Sequence, residues 1–337
     1  MSQRQGRYTV ILPSRPVITG SAAVVGKKEG EGPLAREFHK IFDDTTIGKD
    51  SWEKSESAMQ REAIDLALSS AGVTFGDVDM IFAGDLLNQC IGTSFAVRDT
   101  GLPFAGLYGA CSTMALALAM AGIFTDNGVT GTAIASTSSH FCSAEKQFRM
   151  PLEYGGQCPP SAQRTATAAG AAGVRNSRSG VGISAVIIGR IRDYGITDST
   201  NMGAAMAPAA CSTIISFLRD TGTGPEDYDM ILTGDLGAIG SELLLELMKK
   251  QENTDISSVH ADCGLMLYDL DRQDVNSGAS GCGCSACVVC SHILRRINAG
   301  ELKKVLFVGT GALLSAVSTL QGESIPAIAH GVLLTGN

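Results

Sequence analysis

The chain has 337 residues, 44% of them hydrophobic and only 18% charged, with a net charge of −8. That length allows two domain-sized units or one large fused unit. The 34 acidic residues outnumber 26 basic ones without a basic stripe anywhere, which argues against nucleic acid as a partner. The first twenty residues hold no apolar run long enough for a signal peptide or a membrane span, so any membrane role is expected to be peripheral. Ten cysteines without an export signal point to a reducing compartment and mostly free thiols.

Residues 15–27 read as one long strand or a strand pair. Residues 28–55 are charged and irregular and hold the single tryptophan, Trp52. Over 55–71, apolar side chains recur at helical spacing behind a serine, which predicts an amphipathic helix. Strands are expected at 78–90, ending in Gly-Asp, and at 130–140. Residues 141–163, with Pro159 and Pro160 in tandem, predict a long excursion. A small-residue strand follows at 165–174, another strand at 181–190, and a helix at 206–222.

The pattern then recurs. Val78-Asp79-Met80-Ile81 returns as Tyr228-Asp229-Met230-Ile231, and Gly84-Asp85-Leu86 as Gly234-Asp235-Leu236, 150 residues later. Residues 280–300 take the place of the stretch that begins at Gly109, and residues 302–315 that of the strand at 130–140. Each half reads strand, helix, strand, helix, strand. The chain is therefore read as a duplicated α/β unit, with halves at 1–190 and 191–337. Mostly parallel sheets are expected, with helices between and outside them.

Tyr108-Gly109-Ala110-Cys111-Ser112-Thr113-Met114 runs straight into ALALAMAG. A Gly-Ala turn handing over to helical residues puts the Cys111 thiol at or near a helix N-terminus. There, unpaired N–H groups and the dipole favour a thiolate and an anionic ligand. Two readings stand: a nucleophilic or ligand-binding cysteine on a strand-to-helix elbow, or a small buried core cysteine. Cys282, Cys284, Cys287 and Cys290 share part of an iron–sulfur spacing. The fourth ligand with its following proline is missing, and the Ser, Ala and Val content suits a buried helix, so neither metal nor disulfide is expected there.

A duplicated strand–helix unit with a cysteine opening its first central helix resembles the thiolase fold of thiolases and β-ketoacyl-acyl-carrier-protein synthases. The resemblance covers nearly the whole chain. It implies a homodimer, and two central helices buried back to back between two sheets, here 111–122 and 284–298. The strings SWEKSE, AGDLLNQ, GACSTMALAL, STSSHF, EKQFRMPLEYGGQ, HADCGLMLYD, SGASGCGCSA, GTGALLS and QGESIPAIAH, in that order, resemble the stage V sporulation protein AD family. That resemblance implies binding of dipicolinic acid (pyridine-2,6-dicarboxylate), which developing spores take up as its calcium complex. It further implies membrane proteins of the same uptake system as partners, and a peripheral place at the inner membrane of the spore. No cofactor is implied beyond calcium carried with the ligand.

Condensation on such a fold needs two further groups, two His or His and Asn, beside the cysteine. In the synthase branch the His follows the strand matched here by residues 230–233, where this chain has Gly234-Asp235. The family's Asn matches Asn276. Where the thiolase branch carries a Gly-His-Pro loop, this chain has Gly281-Cys282-Gly283-Cys284. Losing one member of a cooperative set lowers rates by orders of magnitude. The expectation is a pocket at Cys111 that binds without condensing; the alternatives are an active acyltransferase with Cys111 as nucleophile, or a structural subunit with a vestigial pocket. Of the histidines, His140 and His330 are the ones placed to fold back toward Cys111. Arg149 and Arg164, with Lys146, are expected to grip carboxylates. Asp85 and Asp235, ending equivalent strands, would order loops, bond the pyridine through water or hold calcium. The expected ligand-binding set is thus Cys111, His140, Arg149, Arg164, Asp85, Asp235 and Asn276, with no resident metal.

Overall fold

The runs of Ala, Val, Ile and Ser fold into strands covered on both faces. The computed structural model describes residues 1–148 and 158–336. In the first half lie β1 (Gln3–Gln5), β2 (Thr9–Ile11), β3 (Val17–Gly26), β4 (Lys40–Phe42), β5 (Met80–Gly84), β6 (Phe104–Gly106), β7 (Thr132–Ser139), β8 (Arg164–Thr165) and β9 (Ala168–Arg175). Then come β10 (Val181–Ile187), β11 (Met230–Thr233), β12 (His260–Asp262), β13 (Ala279–Ser280), β14 (Lys304–Ala312) and β15 (Ala327–Thr335). All eight residues of β7 are buried, as a strand packed by helices on both sides must be.

The ladder order is β12-β11-β14-β15-β10-β3-β9-β7-β5-β6. Cut between β10 and β3, it gives two sets of identical topology. In each, the short strand next to the outer edge is parallel to both neighbours: β5 to β6 and β7, β11 to β12 and β14. In each, a long antiparallel ladder follows, β7 with β9 and β14 with β15. The expected sheets were mostly parallel; the observed ones are mixed, because the inner strands of each half pair antiparallel. The halves meet where β10 touches β3 at Val181 and Gly182. Since β10 belongs to the second set, the change of half precedes Val181, and the expected boundary at 190 falls one strand late.

Five layers result. On the outer face of the first half, helix Trp52–Ala71 packs on β3, β7 and β9. It is capped by the side chain of Ser51, which accepts from Lys54 N, and closed by Gly72 in the left-handed region. Ser55, at the start of the expected helix, is instead buried inside it. On the opposite outer face, helix Met202–Thr221 packs on β14 and β15 and against helix Gly237–Glu252. Among the described residues it is the one helix long and apolar enough to cross a membrane, yet 78% of that window is buried within the protein.

Helix Thr113–Asp126 lies in the middle layer, touching β5 and β7 of one half and β14 and β15 of the other. Its companion starts with Cys282–Val288, every residue of it buried, and continues through a π-helical turn at Val289–Ile293 to Asn298. The layer is thin. A Cβ on Gly283 would stand 2.3 Å from the Ala168 carbonyl oxygen, and one on Gly309 would stand 2.8 Å from Ala115 Cβ. The cysteines fill this space as small side chains. Cys282 Sγ donates to Ser138 O at 3.0 Å, Cys284 Sγ to Gly234 O at 3.8 Å and Cys287 Sγ to Cys284 O at 3.2 Å, so these three sulfurs turn to separate carbonyls.

Because the atom facing Gly283 is backbone of β9, it cannot swing aside as a side chain would. Gly283→Ala should lower stability by about 3 kcal/mol in a urea melt, at the upper end of ordinary overpacking. A loss below about 0.5 kcal/mol, the size of a neutral surface change, would mean the middle layer has slack.

Candidate functional site

The chain enters the middle layer through a strained turn. Ala110 has φ 49°, in the left-handed region that non-glycine residues avoid, at a typical strain of about 1–3 kcal/mol. The turn is locked from within: Ser112 Oγ donates to Gly109 O at 2.6 Å, Thr113 Oγ1 to Ala110 O at 2.6 Å, and Gly109 N to Thr113 Oγ1 at 3.0 Å. Gly311 of β14 presses on it so closely that a Cβ would lie 2.2 Å from Gly109 O. The amides of Ser112 and Thr113 are taken by the carbonyls of Gly109 and Ala110, so they are not free for an anion.

Cys111 sits on this elbow, 6% exposed. Its Sγ is 3.7 Å from Ser280 Oγ. Ser280 in turn donates to Asp235 Oδ2 at 3.0 Å, and Gly281 N donates to the same oxygen at 2.9 Å. Thr310 Oγ1 donates to the other carboxyl oxygen at 2.7 Å. Gln163 Nε2 ties the loop together by donating to Asp235 O at 2.6 Å and Ala279 O at 2.9 Å. Burial pushes the Asp235 carboxyl up to about 7. Burial first, and then the Asp235 charge, push the Cys111 thiol well above its ordinary value. Against the helix terminus, which favours a thiolate, desolvation and the neighbouring carboxyl act in the opposite direction and hold the proton on Cys111.

The other expected residues scatter. Asp85 closes its own loop, accepting from Leu87 N at 2.7 Å and from Thr93 N at 2.7 Å and Oγ1 at 2.6 Å. Nearby Glu56 is pushed up to about 8, by burial and then by the Asp85 charge. The His140 ring stacks on Trp52 at 5.4 Å, accepts from Cys142 N at 3.2 Å and bonds Thr45 O at 2.8 Å. Both its nitrogens are used away from Cys111. Asn276 is exposed in a left-handed turn, φ 53°, ahead of β13. Arg164 lies over the Phe141 ring at 3.9 Å, while its neighbour Thr165 lines the cleft. Lys146 is paired with Glu53. Arg149 lies outside the described residues.

His330 approaches the elbow: a Cβ on Gly109 would stand 3.3 Å from its Nε2. Its Nδ1 accepts from Gly189 N at 3.1 Å, and burial pushes the imidazole down to about 4, so it is neutral. Sequence reasoning missed Ser280, Thr310 and Gln163. The SGASGCG loop had drawn attention to itself, but the residue that reaches the thiol is Ser280, four positions after Asn276.

The cleft in front of Cys111 has a volume of about 50 Å³, room for a few waters. Leu86, Tyr108, Phe148, Met202 and Leu314 supply apolar wall, and Asn88, Gln147, Ser280 and Ser315 supply neutral polar groups. Among the described residues, no Lys, Arg, Asp or Glu lines it.

The profile of the family described as Stage V sporulation protein AD matches residues 6–335. Stage V sporulation protein AD of Bacillus subtilis (strain 168) is 40% identical over 328 residues, which cover 97% of this chain and 96% of that protein. The chain belongs to the stage V sporulation protein AD family. The fold of this family member is thiolase-like. The 3-oxoacyl-[acyl-carrier-protein] synthase III of Aquifex aeolicus superposes with a TM-score of 0.57 at 13% identity, over 95% of this chain and 99% of that one. Cerulenin-bound OleA of Xanthomonas campestris does so with a TM-score of 0.59 at 12% identity, over 94% and 97%. At such identities the likeness concerns the fold alone.

Asp235 generates a pH test for this family member. Its folded value of about 7 lies above the ordinary carboxyl range, so the folded state holds a proton the unfolded state releases. That contribution is full below about pH 4 and is lost as pH rises through about 7. In Asp235→Asn the titration is gone. The stability of the variant relative to the parent should rise by roughly 2–4 kcal/mol between pH 4 and pH 8 in paired melts. A difference that stays flat over that range would show that Asp235 remains ionised in the fold.

Proposed function

We propose that this member of the stage V sporulation protein AD family binds dipicolinic acid, as its calcium complex, in the cleft at Cys111, and does not condense acyl groups. The observation that carries the reading is what faces the sulfur: a hydroxyl and a buried carboxyl, Ser280 and Asp235, where condensation calls for an imidazole. A protonated thiol is a poor nucleophile.

The lining favours the calcium complex over the free acid. A bare dianion entering a cleft walled by Tyr108, Phe148 and Leu314 would lose its hydration and, among the described residues, meet no counter-charge. The one-to-one complex with calcium carries no net charge. Its ring can lie against Tyr108 or Phe148, and its carboxylate oxygens can take bonds from Asn88, Gln147 and Ser315. Entry requires the side chains at the mouth to swing aside, among them Tyr108, which is 52% exposed.

The family places the protein in sporulation. Within that setting we read it as a peripheral component at the inner spore membrane that hands the complex to membrane proteins of the uptake system. We also read it as a homodimer. Edge strand β6 ends the sheet, and Ile91 and Phe95 in the adjoining helix are 40% and 49% exposed.

Thermal melts with dipicolinate, with and without calcium, test the binding. A compound that binds only the folded state adds about 2.7 kcal/mol at a hundred times its Kd. The upward shift should be larger with calcium than without and should fall in Cys111→Ala. Incubation with an acyl-thioester, followed by intact-protein mass measurement, should leave Cys111 unmodified. No shift under either condition, together with an acyl adduct on Cys111, would point to the condensing enzyme instead.

A further inference from the structure

A second cavity, of about 430 Å³, opens on the outer side of the second half. It lies between the residues leading into β2, the segment that follows β10 and helix Met202–Thr221. Its size falls in the range of small-molecule sites, about 300–1,000 Å³. It shares no lining residue with the Cys111 cleft.

Four arginines reach this cavity, Arg7, Arg190, Arg192 and Arg219, against two carboxylates, Asp220 and Glu252. In a chain of net charge −8 that is a local reversal of sign. Both carboxylates are already engaged. Asp220 accepts from the backbone amides of Arg7 at 3.0 Å, Tyr8 at 2.7 Å and Thr9 at 2.8 Å. Glu252 pairs with Arg219 at 3.4 Å. Among the described residues, no carboxylate pairs with Arg190 or Arg192.

These two guanidinium groups are held in place by neutral groups. Arg190 lies 3.9 Å over the Tyr8 ring. Its Nη1 donates to Tyr8 OH at 2.7 Å, and its Nη2 to Ser212 Oγ and Ser216 Oγ, both at 2.9 Å. Ser212 and Ser216 stand one turn apart on helix Met202–Thr221, so the helix presents both hydroxyls together. Arg192 Nε donates to the same Ser212 Oγ at 3.0 Å. One hydroxyl thus brings two half-buried like charges to one point. Among the described residues, neither terminal nitrogen of Arg192 has an acceptor. Arg190 is fixed by stacking and hydroxyls, and Arg192, held at its Nε, keeps its outer N–H pair open for bidentate contact with an oxyanion. Tyr194, Pro208 and Ile215 add an apolar wall for a carbon body.

We infer that this groove is a second binding site, for a small organic anion whose carboxylate or phosphate head bridges Arg190 and Arg192. The bridging head relieves the repulsion between the two cations, and the positions of both are set before it arrives.

The test measures binding of two probes, inorganic phosphate and benzene-1,3-dicarboxylate, by calorimetry and thermal shift at constant ionic strength against sodium chloride. Both should bind the full chain. Arg192→Gln should weaken them at least tenfold, and Ser212→Ala several-fold, whereas Cys111→Ala should leave them unchanged. Arg192→Lys, which keeps the charge but loses the fork, should fall in between. If Arg192→Gln does not fold, as judged by circular dichroism, Arg192→Lys and Ser212→Ala carry the comparison. Tighter binding of phosphate assigns a phosphate head, and tighter binding of the dicarboxylate a carboxylate on a flat body. Stabilisation no greater than that given by chloride, or equal in the parent and the foldable variants, would overturn the site.

Discussion

The thinness of the middle layer governs the rest of this molecule. Two helices lie between the two half-sheets, and the strands approach them to the point where Gly283 and Gly309 have no room for a methyl group. The cysteines at 282, 284, 287 and 290 pack there beside longer side chains such as Met114 and Leu118, and each is fully or almost fully buried. Close packing of this kind transmits position faithfully. It brings β13 and the end of β11 up to the Cys111 elbow, so that Ser280 and Asp235 meet a sulfur far from them in the chain.

The same burial decides the chemistry. Cys111 and Asp235 are both buried, and burial makes each hold its proton more tightly than in solution. A helix N-terminus favours a thiolate by about 1 kcal/mol or less at an exposed site. Complete burial beside a second acid works against ionisation much more strongly.

Duplication supplied two copies of the strand that ends in Gly-Asp, and the copies have diverged in use. Asp85 folds back onto Thr93 and orders its own loop, with Glu56, whose carboxyl burial pushes up, nearby. Asp235 reaches across to Ser280 and Gly281 and joins the Cys111 site. The difference lies in which neighbours fill the space around each carboxyl. Helix Trp52–Ala71 brings Glu56 and Gln60 close to the first, and β13 brings Ser280 to the second.

The sequence by itself determined the duplicated α/β plan, the placing of β3, β5, β7, β9, β10, β11 and β14 and of most long helices, the elbow at Cys111 and the family. Each of these is written in local periodicity, in a repeat, or in strings whose order is preserved. It also carried the absence of an imidazole after Thr233. What only the tertiary structure decided is which side chains converge. Asn276 was a reasonable choice until its backbone turned left-handed and left it in solvent. His140 ends the right strand, yet its ring is drawn to Trp52 and Thr45. Arg164 and Thr165 are adjacent, and the alternation of a strand sends only the second toward the cleft. Side-chain direction and burial depend on partners distant in the chain, and no pattern of neighbouring residues encodes them.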